Sequence, residues 1–101
     1  MRPAPFDAPI LNQAITVNDT GTTIVVLSSD VVYISYYFDN MGTKVAIIEL
    51  NRTDGKPKDI ITLEADRSVT ILQERVSSIV IKAEPTKTTK VFYLLQGYLR
   101  I

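Results

Sequence analysis

The chain has 101 residues, 46% hydrophobic and 22% charged, with eleven basic residues balancing eleven acidic ones and no cysteine, histidine or tryptophan. That length supports one domain, and balanced charge without like-charge blocks gives no source for the counterion release that drives nucleic-acid binding. The missing cysteines exclude a disulfide framework and thiolate metal sites, and the missing histidines remove the commonest general base and metal ligand. We therefore expect no metal, no cofactor and no enzyme.

The first twelve residues read as an extended arm, because prolines at positions 3, 5 and 9 fix φ and withhold backbone donors. Its apolar residues Phe6, Ile10 and Leu11 either pack on the domain or dock along a neighbouring subunit. No continuous apolar h-region precedes them and no run approaches the roughly 18 apolar residues of a membrane helix. The expectation is a soluble chain, cytoplasmic at synthesis, with an arm over 1–12 and one domain over 13–101.

From Gln13 onward, β-branched and aromatic runs alternate with turn residues at the spacing of about 8 to 12 that marks a sandwich or barrel. The runs cover 14–18, 22–28, 31–38, 44–51, 59–65, 68–73, 78–84 and 89–99. Asp54-Gly55 is the strongest hairpin signal, since it supplies positive φ, and it should join the fourth and fifth strands. A helix finds no place beyond a single turn around 74–78, where no 3.6-residue apolar stripe exists. The fold class is all-β: a single β-sandwich, jelly-roll-like or immunoglobulin-like, of about eight strands.

Side-chain alternation sorts the faces. In the seventh run Ile79, Ile81 and Ala83 share one face, with Lys82 and Glu84 on the other, and in the fifth the inward pair is Leu63 and Ala65. The third and last runs lack this polar alternation. Val91, Tyr93 and Leu95 point one way in the last run, while Phe92, Leu94 and Tyr98 point the other. Such strands are either central in their sheets with outer faces shielded by long side chains, or they meet a partner. Tyr33 and Tyr37, with Tyr93 or Tyr98, are the candidate contact residues, because tyrosine buries a large ring while its hydroxyl can still be satisfied.

No catalytic set emerges from the acids Asp39, Glu49, Asp54, Asp59, Glu64 and Asp66, whose spacing does not converge on one pocket. The turns Asp39-Asn40 and Asp54-Gly55 stop short of the ligand series of a calcium loop. Asn18-Asp19-Thr20 and Asn51-Arg52-Thr53 match the glycosylation sequon, a pattern expected by chance. Carbohydrate binding is the alternative to assembly, with Tyr33 and Tyr37 forming an exposed stacking platform.

The runs Ile60-Ile61-Thr62-Leu63-Glu64-Ala65-Asp66-Arg67-Ser68-Val69-Thr70-Ile71-Leu72, Val76-Ser77-Ser78-Ile79-Val80-Ile81-Lys82-Ala83 and Lys90-Val91-Phe92-Tyr93-Leu94-Leu95-Gln96-Gly97-Tyr98 resemble a pattern of small β-sandwich accessory and decoration proteins of bacteriophage particles. The departure is the turn Ala65-Asp66-Arg67-Ser68, which lacks the usual proline or glycine. The resemblance implies a virion component, such as a capsid decoration, vertex or head-to-tail accessory protein, that forms homo-oligomers and docks on other shell proteins. Apart from that resemblance, the apolar arm and two-sided strands point to an assembling module, with no nucleic-acid or membrane partner.

Overall fold

The computed structural model describes residues 11–25, 31–53, 55–72 and 76–99. They form eight strands: β1 (Leu11–Val17), β2 (Thr22–Val25), β3 (Val31–Asn40), β4 (Ala46–Arg52), β5 (Asp59–Leu63), β6 (Ser68–Leu72), β7 (Val76–Ala83) and β8 (Thr89–Leu99). One sheet has the order β1-β8-β3-β6 and the other β2-β7-β4-β5, and every pairing is antiparallel. Consecutive strands change sheet at each step except from β4 to β5. This is the jelly-roll arrangement of two Greek keys, which decides against the immunoglobulin-like order. Among the described residues no helix is long and apolar enough to cross a membrane.

The strand ends differ from the sequence reading in places that have physical causes. β1 begins at Leu11, opposite Leu95, so Leu11 and Asn12 belong to the sheet rather than to the arm. β3 runs on through Asp39 and Asn40, which pair with Phe92 and Val91, so these residues are strand and not turn. β4 and β5 do form a hairpin, and Gly55 takes a φ of +78°. Its connection, however, spans 53–58, longer than the two-residue turn that Asp-Gly favours. Residues 76–78 lie in β7 instead of a helical turn, while 73–75 lie outside the described residues.

The core lies between the sheets and follows the two-residue period. From the first sheet come Val17, Tyr36, Phe38, Val91, Tyr93 and Leu95; from the second come Ala46, Ile48, Leu50, Leu63, Ile79, Ile81 and Ala83, all buried. Ile24, Ile61, Val69 and Ile71 close the margins. Each apolar residue removed from water contributes on the order of 25 cal/mol per Å². In the seventh strand the face assigned from alternation is the face that is buried; in the last, where both faces are apolar, Val91, Tyr93 and Leu95 form the buried set.

Candidate functional site

Two parts of the molecule are built from polar or aromatic side chains in defined positions: a buried hub at one end of the sandwich, and the outer faces of the two sheets. The hub is Asn40, fully buried at the end of β3. Its Nδ2 donates to Lys44 O at 2.7 Å and to Leu63 O at 2.9 Å, and its Oδ1 accepts from Thr89 Oγ1 at 2.7 Å and from Gly42 N at 3.2 Å. Its main chain is engaged as well, donating to Arg67 O and accepting from Asp66 N, each at 2.9 Å. One amide thus ties β3, the start of β8, the end of β5 and two loops, and joins the two sheets. Gly42 is required beside it, since a Cβ there would lie 2.0 Å from Thr89 Oγ1 and 2.6 Å from Lys90 N. All four valences of the side chain are used inside the protein, which makes the hub a structural joint.

The outer faces contrast sharply. On the β2-β7-β4-β5 sheet, Glu49 is only 8% exposed and is held by Lys58 at 2.9 Å and Lys82 at 2.8 Å, one lysine on each carboxylate oxygen. Hydrogen bonds from Lys82 and Lys58 keep its carboxyl below the usual carboxylate range, outweighing the opposing effect of burial. Ile60 and Val80 flank Glu49 in the register, and Ile60 is largely exposed, so this face sets apolar side chains around its paired charges.

The outer face of the β1-β8-β3-β6 sheet is uncharged at its centre. Tyr37 and Phe92 meet edge to face at 6.2 Å, Leu94 lies opposite Tyr37 in the register, and Leu72 at the β6 margin is 74% exposed. Asp39 and Lys90 are the charged residues here, near the end of the sheet that carries Asn40. Among the described residues neither makes a side-chain ion pair or hydrogen bond within the chain.

The structure divides the tyrosines proposed from sequence. The register slips between Tyr33 and Ser35, a β-bulge that turns Tyr33 onto the core side. The Tyr36 hydroxyl donates to Tyr33 O at 2.7 Å across this bulge. Tyr33 and Tyr37 therefore do not share a face, which removes the stacking platform that carbohydrate binding required. Tyr93 is a core residue, 8% exposed, whose hydroxyl donates to Gln13 Oε1 at 3.4 Å. Among the described side chains of these tyrosines, Tyr37 is the one on the outer face. Phe6 and Ile10 lie outside the described residues, as do the side chains of Leu11 and Tyr98. Sequence reasoning missed the partners Phe92 and Leu94 as site residues, although their alternation with Val91 and Tyr93 signals the same face.

The fold is an eight-stranded jelly-roll domain whose two outer surfaces differ in whether their charged side chains are paired within the chain. No protein-family profile and no curated protein matches the sequence. Among solved structures, the chain is similar to the iron(II) form of HppE (10% identity, TM-score 0.58, 85% of this chain and 43% of that one). It is likewise similar to hydroxypropylphosphonic acid epoxidase from S. wedmorenis in complex with fosfomycin (11% identity, TM-score 0.58, 84% and 42%). The chain thus spans less than half the length of those proteins. A whole-length similarity is to a subunit of Bacillus endospore appendages, described as disulfide-linked pili (16% identity, TM-score 0.56, 99% and 95%).

These likenesses are of fold, and they correct one expectation. The lack of catalytic side chains led us to expect no enzyme, yet the same frame carries an iron enzyme in two of these neighbours. The residues present here do not fit an iron site: the chain has no histidine or cysteine, and among the described residues no three acidic side chains gather as metal ligands. Nor can this chain make the disulfide links of the appendage subunit, because it contains no cysteine.

Proposed function

We propose that this protein is a structural subunit that assembles with copies of itself through the outer face of the β1-β8-β3-β6 sheet. The observation that carries the reading is the contrast between the two outer surfaces. One holds Glu49 paired to Lys58 and Lys82 between Ile60 and Val80, and the other presents Tyr37, Phe92, Leu94 and Leu72 with Asp39 and Lys90 toward one end, neither of them paired within the chain among the described residues. An apolar face rimmed by polar residues favours association, and tyrosine and phenylalanine are enriched where interfaces bury their centres. The whole-length fold match to a pilus subunit supports the same reading, with any contact here being non-covalent. Its finer form is a virion role, as a decoration, vertex or head-to-tail accessory protein that also docks on shell proteins. That form is supported by the bacteriophage-like pattern over 60–98 and by the use of jelly rolls in viral capsids. Sedimentation velocity across a hundredfold range of protein concentration tests the self-assembly: a mass that rises with concentration is expected, and a monomer throughout overturns it. For the virion role, electron microscopy of particles containing the protein should place it on the outer shell or at a vertex.

A further inference from the structure

Resting on that reading of self-association, we infer that two copies pack this sheet face to face about a two-fold axis running along the strands between β8 and β3, with Asp39 of each copy pairing Lys90 of the other. The strand order places β8 and β3 at the centre of the sheet. Rotation about an axis between them lays β8 of one copy over β3 of the other while keeping the strand ends aligned, as an isologous interface requires. Leu94 is in register with Tyr37, and Phe92 with Asp39, so Leu94 then faces the second copy's Tyr37.

The charges choose this axis over the alternatives. Lys90 lies two residues from Phe92 on β8, on the same face, which makes it a diagonal neighbour of Asp39 in its own sheet; its long side chain also spans the roughly 10 Å between packed sheets toward the second copy's Asp39. Both groups lack a partner within the chain among the described residues. A two-fold axis across the strands would instead set each copy's charged end over the uncharged end at Ser35, Gln96 and Leu72, leaving the charges unpaired at an interface, which is costly. On the outer face of the β2-β7-β4-β5 sheet the Glu49 carboxylate already has Lys58 and Lys82 as partners within the chain.

The size of the face sets the strength. Four strands at about 4.8 Å spacing, and β8 from Lys90 to Gln96 at about 3.4 Å per residue, give a flat footprint of roughly 400 Å² per copy. Together the copies bury about 800 Å², below the roughly 1,200 to 2,000 Å² of stable interfaces, so the pairing is weak, reversible and concentration-dependent.

Charge reversal tests the arrangement on the full chain, with far-UV circular dichroism and thermal melts verifying that each variant folds. Asp39→Lys faces Lys90 with a like charge, and Lys90→Asp does the same to Asp39, so each alone is expected to weaken self-association by roughly tenfold. Mixing the two variants restores complementary pairs and should give a mixed dimer at least as strong as the wild type. If the wild type associates but folded single variants associate equally well, or the mixture fails to recover, the two-fold arrangement is overturned while self-association stands. A wild-type chain that stays monomeric at high concentration overturns both.

Discussion

Replacing Asn40 by alanine removes four side-chain hydrogen bonds from a fully buried position. The bonds to Leu63 O and from Thr89 Oγ1 are buried, so their partners lose access to any substitute, whereas Lys44 O and Gly42 N are only partly buried. A buried group left unsatisfied costs about 1 to 3 kcal/mol, and a half-exposed one recovers most of its loss from water. Two buried losses together give a destabilisation of about 3 kcal/mol, a large part of the roughly 5 to 15 kcal/mol that holds a domain folded. At about 4 to 8 °C per kcal/mol for a chain of this size, Tm should fall by roughly 15 °C. Urea unfolding of Asn40→Ala, Thr89→Val and the double variant separates the hub from mere packing. The two substitutions share one hydrogen bond, so their effects should fall short of additive by about 1 kcal/mol. Asn40→Asp adds a signature. Its carboxylate would face the carbonyls of Lys44 and Leu63, which raises its folded pKa above the unfolded value. Its deficit is therefore smallest below the unfolded aspartate pKa of about 3.9 and grows as pH rises through the folded value. A loss below about 0.5 kcal/mol for Asn40→Ala, or strict additivity with Thr89→Val, would refute this account of the joint.

Three further outcomes follow from the same geometry. Gly42→Ala should cost about 2 kcal/mol or more in chemical denaturation, because the new Cβ would meet the Lys90 backbone nitrogen as well as a side chain. Thr86→Gly should raise stability by about 1 kcal/mol in thermal melts: Thr86 is β-branched at a φ of +65°, held there by its N–H donating to Asp19 Oδ2 at 3.1 Å. A neutral or negative effect would mean that the strain is already relieved. Glu49→Gln should flatten the acid side of the stability profile. The native carboxyl is depressed by Lys82 and Lys58, so its contribution is complete above the unfolded glutamate pKa and disappears as pH falls through the lower folded value. Melting curves collected from neutral to strongly acidic pH should converge for the two proteins at the acid end.

Most of the fold is written in periods of two. In β7 the apolar positions alternate so regularly that the buried face, Ile79-Ile81-Ala83, follows from side-chain geometry alone, whereas β8 is apolar on both faces and only packing makes Val91, Tyr93 and Leu95 the buried set. The all-β class, the number of strands and the β4–β5 hairpin are legible for the same local reason. Strand order is not local. Five of the six pairings join strands separated in sequence, so only the packed chain selects the jelly roll from the other two-layer arrangements. Asn40 shows the same limit at one residue. In sequence it looks like a turn former beside Asp39 and Gly42, and its role depends on carbonyls and a hydroxyl brought from β5 and β8.

The candidate surface divides along that line. An excess of apolar residues on the third and last strands is a property of the sequence, as is the assignment of Phe92 and Leu94 to one face. Which tyrosine joins them was decided by the bulge between Tyr33 and Ser35, a backbone event set by pairing with Gln96 and Gly97. One added residue reverses every side chain beyond it, so Tyr33 went to the core and Tyr37 stayed outside. That these strands carry more apolar surface than one face can bury is a local property of residue order; which sheet presents it among the described residues depends on which strands become neighbours, and that is settled by long-range pairing.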